Sequence, residues 1–332
     1  MPNETGVIPD SQPLVPNVET VERTKEQKFS LAVDQGIKEA LFLIESRFEN
    51  PDDPESQQDY HRALHTKKRV IAGAKKILTA IREEDPDLVS ERDIELGKFA
   101  AAFHDTVQNG KVIEVIDKEG RIMLKLKRDI RNNEIASADE AEIFMQKINN
   151  EQGEDIFTAR DMMIVKESIM LTVPTFDTQK KTVVQPGFAE ASIIAKAVAL
   201  ADLGTPGMGN AYASKYDTMA LFREENRDFR RDFNLPAEQI PIDTQEWYKK
   251  RIVGWCEDQK AFIVGREIQH KEDRRAMPLG MQRAVDKLFI NFDTNLQANT
   301  NLAEQARSMS YVELVNDFEN TLNPNTADLT YS

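Results

Sequence analysis

The 332-residue chain carries a formal net charge of −14, which argues against nonspecific binding to nucleic acid or anionic lipid and predicts a soluble protein. Its single cysteine, Cys256, excludes an intrachain disulfide and fits a reducing compartment. The length allows one large domain or two ordinary ones.

Pro2, Pro9, Pro13 and Pro16, with few large apolar residues between them, predict a flexible tail over 1–25. The same stretch shows neither a basic leader nor a signal-like apolar core. A helix follows over about 26–48, with Phe29, Ala32, Ile37, Ala40, Leu41, Leu43 and Ile44 as its buried stripe. The run Asn50-Pro51-Asp52-Asp53-Pro54 ends it. The next helix is expected from near Ser56 to Ile81, so that His61 and His65, four residues apart, share one face. Asp85-Pro86 breaks that helix. Ser90 reads as the N-cap of a third, with Asp93 in its first turn and His104-Asp105 at its end.

Residues 111–127 alternate in hydrophobicity around Lys118-Glu119-Gly120, a β-hairpin signal and the one convincing strand pair in the chain. Helical patterns resume at 137–149, 155–171 and 186–203, the first with Ser137 as N-cap and Glu140 at capping-box spacing. The apolar stretch 189–203 is too short, and too interrupted by Glu190, Lys196 and Asp202, to span a bilayer. A polar helix is expected over 211–233, a longer one over 243–270 holding Trp247 and Trp255, and two more near 281–296 and 308–322 before a polar tail, 323–332. Neither G-x-G-x-x-G nor a Walker pattern occurs, so dinucleotide and P-loop readings have no support. The class is all-α with one hairpin insertion.

Three of the four histidines fall between residues 61 and 104. Neutral imidazole is the commonest metal-ligand side chain, and a hydrolytic site needs nitrogen and anionic oxygen ligands with positions left open. His65, His104 and Asp105 supply three such groups. Asp202 is the best further carboxylate, because a charge closing an otherwise apolar helix is costly unless paired or metal-bound.

This order of residues, H…HD…D on helices, resembles the HD superfamily of metal-dependent phosphohydrolases. Tyr60-His61-x-x-x-His65 is similar to the Y-H-x-x-x-H of cyclic nucleotide phosphodiesterases and small bacterial HD hydrolases, and Phe103-His104-Asp105 to their F-H-D. Asn133-Glu134-Ile135-Ala136-Ser137-Ala138, Thr172-Val173-Pro174 and Ala201-Asp202-Leu203-Gly204 resemble later motifs of the small bacterial group. The resemblance covers roughly 27–235. It implies an HD-type helical bundle over 26–235, with the hairpin 111–128 inserted and a helical extension, 236–322, packed on it. It also implies one or two divalent metal ions (Mn, Mg, Zn, Fe, Co or Ni) on His65, His104, Asp105 and Asp202. Metal-activated water would attack phosphorus, His61 would be the general acid, and Glu134, with Glu140 as rival, would orient His61 or a water.

The expected substrate is a phosphomonoester or phosphodiester of a small metabolite or nucleotide, not nucleic acid. The alternative is a binding or regulatory protein that keeps the fold without turnover. Arg62 and Gln108 stand where phosphodiesterases carry Asn and His, their purine-reading glutamine is not found, and the H-D-x-x-E-D of alarmone hydrolases is absent. Lys125, Lys127, Arg128 and Arg131 form a basic cluster that, with Arg62, is the candidate phosphate-binding set. The run Arg223–Arg231 reads as a solvated helix face and His270 as an exposed residue. The protein is expected to be cytoplasmic, with a homo-oligomer open.

Overall fold

The computed structural model describes residues 23–53, 56–323 and 331. Its first helix, α1 (Lys25–Phe48), opens on a capping box in which Thr24 and Gln27 satisfy each other's backbone N–H, and it buries Phe29, Ala32, Val33, Ala40, Ile44 and Phe48. A second capping box, Ser90 with Asp93, starts α4 (Glu91–Phe103). Before it come α2 (Ala63–His65), a π-helical turn over Thr66–Ile71, and α3 (Ala72–Glu84). The backbone stays right-handed helical through both junctions, so the three pieces form one rod. The wider π-turn shifts the phase of His65 relative to the buried stripe Ala74, Ile77, Leu78 and Ile81.

After α4 the chain forms the expected hairpin, β1 (Gly110–Ile116) against β2 (Ile122–Arg128), with Gly110 opposite Arg128 and Ile116 opposite Ile122. Next come α5 (Asn132–Gln152) and α6 (Ala159–Met170). A second hairpin, β3 (Thr175–Asp177) with β4 (Thr182–Val184), leads to α7 (Ile193–Asp202) and the short α8 (Thr205–Met208). The remainder is α9 (Ala211–Glu225), α10 (Arg227–Phe233), α11 (Ile242–Arg274), α12 (Leu279–Leu288), α13 (Phe292–Ser308) and α14 (Tyr311–Leu322). Among the described residues no helix is long and apolar enough to cross a membrane.

Two helices are buried nearly all round, as elements at the centre of a core are. In α4, Phe99 through Phe103 are wholly buried, and in α7 Ala195, Ala197, Val198, Ala199 and Ala201 are. Around them α1, α3, α5 and α6 complete one apolar cluster, which also takes in Met281, Ala284, Val285, Phe289 and Phe292. A second cluster joins α9 and α10 to α11, α13 and α14 through Phe222, Phe229, Tyr248 and Phe318. The 33 residues of α11, about 50 Å at helical rise, run along both clusters. Helices α11, α12 and α13 thus contribute to the first cluster, and residues 211–233 share the second with α11, α13 and α14.

Several expectations are corrected. Residues 56–62 are turns and bends, not helix, so His61 does not share a helical face with His65. The reason is a competing carboxylate: Glu49 takes the N–H of Ala63 at 2.8 Å and starts the helix there. Ser137 is not an N-cap. α5 begins five residues earlier, where Glu134 accepts the Arg131 N–H at 2.6 Å, and the Ser137 hydroxyl accepts from Val107 N. The first hairpin is not the only strand pair.

The expected helix over 211–233 is broken at Asn226, whose amide donates to Phe222 O at 2.7 Å while the residue bridges to Lys125 of β2. The expected helix 281–296 is two, because Asn291 N donates to Gly207 O at 2.8 Å between them. The expected tails lie outside the described residues apart from 23–25, 323 and Tyr331, and Tyr331 is buried.

Candidate metal centre

Each ligand-type side chain comes from the end of a core helix. His65 closes α2, His104 caps α4, Asp105 follows it, and Asp202 is the last residue of α7. Packing α3, α4 and α7 against one another brings these ends together. His65, His104 and Asp202 form a cluster able to hold a metal ion, with one ligand atom of each within 4.8 Å of the others. His65 Nε2 lies 3.7 Å, and His104 Nε2 3.5 Å, from Asp202 Oδ1. Asp105 Oδ2 adjoins them, 3.0 Å from His104 Nε2 and 3.9 Å from His65 Nε2.

The residues fit a cation on three further observations. His104 Nδ1 lies 2.8 Å from Ala101 O, which can only accept, so Nδ1 carries a hydrogen and Nε2 is the nitrogen that faces the carboxylates. Gln108 Nε2 donates to Asp105 Oδ1 at 2.7 Å and turns Oδ2 inward. Both ring nitrogens of His65, His104 Nε2 and Asp105 Oδ2 are buried without a hydrogen-bond partner. Such atoms are costly to bury unless something bonds them.

The electrostatics agree. Burial opposes the charged form of His104, yet Asp105 and Asp202 outweigh it and hold its pKa well above the usual histidine value. Burial likewise opposes the Asp105 carboxylate, but His104, His61 and His65 keep it below the usual range. A proton and a cation compete for the same lone pair of His104, so metal binding there releases protons.

His61 reaches the same place from the loop before α2. Its Nδ1 lies 2.7 Å from Oε1 of Glu224, at the end of α9, so Nδ1–H donates and Nε2 is left free. Glu224 is fully buried and organises the whole loop. It accepts the N–H groups of Asp59 at 2.9 Å, Tyr60 at 2.7 Å and His61 at 3.1 Å, and it pairs with Arg128 of β2. Burial would raise its pKa, but His61, Arg128 and the backbone donors hold it well below the usual carboxylate value. The Tyr60 ring packs against both His61 and His65, with centroids at 4.8 and 4.3 Å.

A polar cavity of about 50 Å³ opens beside the cluster. His61, Asp105 and Asp202 line one part of it; Gln108, Arg128, Asn133, Glu134, Thr172, Ile130 and Pro174 line the rest. Of the expected phosphate-binding residues only Arg128 reaches it. Arg62 pairs with Glu49 at 3.1 Å. Lys125 donates to Asn226 at 2.6 Å, and burial lowers its pKa. Lys127 and Arg131 are exposed outside the lining. Glu134 faces the cavity but caps α5, and burial raises its pKa. Its rival Glu140 binds Arg47 through both oxygens at 2.9 Å. The carboxylate that orients His61 is thus Glu224.

The sequence reading missed Glu224 because it lies in the run taken as a solvated face. That run is largely buried: Glu224 and Asn226 are fully so, and Arg223 and Arg230 pair with Asp59. The available signal was the stripe Ala213, Asp217, Ala220, Glu224, which places two carboxylates at core spacing on α9. His270 is also buried, stacked on Phe289 at 4.5 Å, not exposed. Compared with protein-family models, curated proteins and solved structures, the chain matches none.

Proposed function

We propose that the protein is an HD-type metal-dependent phosphohydrolase acting on a small phosphomonoester or phosphodiester. The observation that carries this reading is the convergence of four ligand-type side chains, three of them with unpartnered buried atoms, beside a cavity that Asp105, Asp202 and His61 line. His65, His104, Asp105 and Asp202 would hold one or two divalent ions. When bound, such an ion supplies Lewis acidity toward a phosphoryl oxygen and toward water.

The chain's own residues supply the rest. Glu224 accepts from Nδ1–H and fixes the direction of His61; in the imidazolium form Nε2–H can give its proton to the leaving oxygen and leave the neutral Nδ1–H tautomer behind. Arg128 places a cation at the cavity wall, suited to a phosphoryl oxygen. Gln108 and Asn133 are both hydrogen-bonded in place, Asn133 to Asn109 at 2.9 and 3.0 Å, so the polar wall is preorganised. A cavity of about 50 Å³ suits a phosphoryl group and leaves the remainder of a substrate outside it.

The test separates binding from chemistry. Elemental analysis of protein purified without added metal is paired with Mn²⁺-dependent hydrolysis of an aryl phosphate, a bis-aryl phosphodiester and a nucleotide panel. His65→Ala should lose the metal. His61→Ala should keep it and lose turnover by about 10²–10⁴-fold. A metal-loaded wild-type protein without turnover on any of these esters would refute the enzyme.

A further inference from the structure

Tyr331 lies beyond α14 and is 8 % exposed, although it belongs to a stretch whose composition reads as a polar tail. Its ring and hydroxyl touch two different helices, and both carry metal-centre ligands. The ring lies against Gly73, where a Cβ would stand 2.7 Å from Tyr331 Cε2 and 3.0 Å from the Cβ of Ala201. Glycine there lets the rod that carries His65 cross α7 closely and leaves room for the ring. The guanidinium of Arg69, on the π-turn that follows His65, sits 5.7 Å from the ring centroid. The hydroxyl donates to Ala201 O at 3.0 Å and lies 3.5 Å from the Thr205 hydroxyl.

Ala201 immediately precedes Asp202. The last carbonyls of a helix have no donor within it, so an outside donor fixes where the helix ends. Leu203 N and Gly204 N, the latter at 3.2 Å, donate to Ala201 O from the turn itself, and Tyr331 is its donor from elsewhere in the chain. This matters for Asp202 because the groups in ion-pair reach of its carboxylate are the two imidazoles, whose Nε2 atoms are shared with Asp105 and make no hydrogen bond. The direction of the Asp202 side chain is therefore set by its backbone.

We propose that Tyr331 is a positioning residue for the metal centre. It clips the C-terminal end of α7 to the helix of His65, in a socket shaped for a para-substituted phenol. The ring fills the helix crossing, and the hydroxyl holds the carbonyl next to Asp202. This rests on the reading of His65 and Asp202 as metal ligands, and its test has an arm that does not.

Three samples decide it: the full chain, Tyr331→Phe and Tyr331→Ala, the last with and without 4-methylphenol. In the metal-free protein, amide hydrogen exchange at 201–205 is expected to quicken about 5–10-fold in Tyr331→Phe and further in Tyr331→Ala. 4-Methylphenol should slow it again in Tyr331→Ala and have no effect on the full chain. Mn²⁺ titration should follow the same order, with affinity weakened about 5–10-fold by Tyr331→Phe and partly restored to Tyr331→Ala by 4-methylphenol.

Unchanged exchange at 201–205 in both variants overturns the clip. So does exchange that quickens while Mn²⁺ affinity stays at the full-chain value. If the full chain itself takes no Mn²⁺, the reading of His65 and Asp202 as metal ligands fails, and the positioning role falls with it. The exchange arm then still reports whether Tyr331 holds the helix crossing.

Discussion

Glu224→Gln is the substitution whose consequences the structure specifies most fully. The carboxylate has no solvent exposure and satisfies three backbone N–H groups, the His61 ring and Arg128. Glutamine keeps the size and removes the charge. Its NH₂ faces donors, so at least one of them loses its acceptor, and Arg128 loses its counter-charge in a buried setting. Leaving one partner of a buried pair uncompensated costs about 3–5 kcal/mol.

The pH dependence has a definite sign. The folded-state pKa of Glu224 is depressed below the ordinary 4.5, so its contribution is fully present above that value. It is lost as pH falls from 4.5 through the folded-state value. Urea denaturation at pH 7 and at intervals down to pH 3.5 is the assay. The expected result is a loss of about 3–5 kcal/mol at pH 7 and a shallower decline below pH 4.5 than in the unsubstituted protein. Metal content should persist while turnover falls, because His65, His104 and Asp202 do not touch Glu224. Equal stability at pH 7 with an unaltered acid slope would refute the role given to this carboxylate.

Two further substitutions test the fold around the centre. His270 is buried against Phe289; burial first, then the Arg266 cation, pushes its pKa down to about 4. The neutral form therefore contributes stability that is complete above pH 6.5 and is lost between 6.5 and 4, about 3 kcal/mol in all. Denaturation of His270→Phe should lack that part of the slope, and an unchanged slope would locate the titration elsewhere. At Gly36 on α1, a Cβ would lie 2.2 Å from the ring of Phe99 on α4. Gly36→Ala should lower stability by about 1–3 kcal/mol in thermal or chemical unfolding, against the usual gain in helix propensity, and a stabilised variant would show that the two helices separate easily.

What was legible in the sequence was carried by local patterns. The Ser90–Asp93 box fixes the start of α4, and its apolar run delivers His104 and Asp105 at the other end. Asp202 stood out as a charge closing an apolar helix, and the β1–β2 hairpin as seven-residue strands of alternating type. The β3–β4 hairpin has only three residues in each strand, too few for alternation to register. His270 sits among charged residues in the sequence, but α11 turns it toward Phe289 and Phe292, which lie about twenty residues on.

His61 and the rod of His65 are held in register by an element whose role periodicity alone hides. The partner of His61 is 163 residues away, and no local propensity points to it. Helix α9 carries Asp217 and Glu224 two turns apart on one stripe. Asp217 pairs with the buried Arg69 at 3.3 Å, on the rod that carries His65, while Glu224 holds the loop that carries His61. One helix thus spaces the His61 loop against the rod that carries His65 through two buried carboxylates. In sequence these look like ordinary polar positions of a charged helix, because burial of a carboxylate is decided by cations supplied from elsewhere in the chain. Here Arg69 and Arg128 supply them. Substituting either arginine should therefore disturb a different half of the centre: Arg69 the His65 side and Arg128 the His61 side.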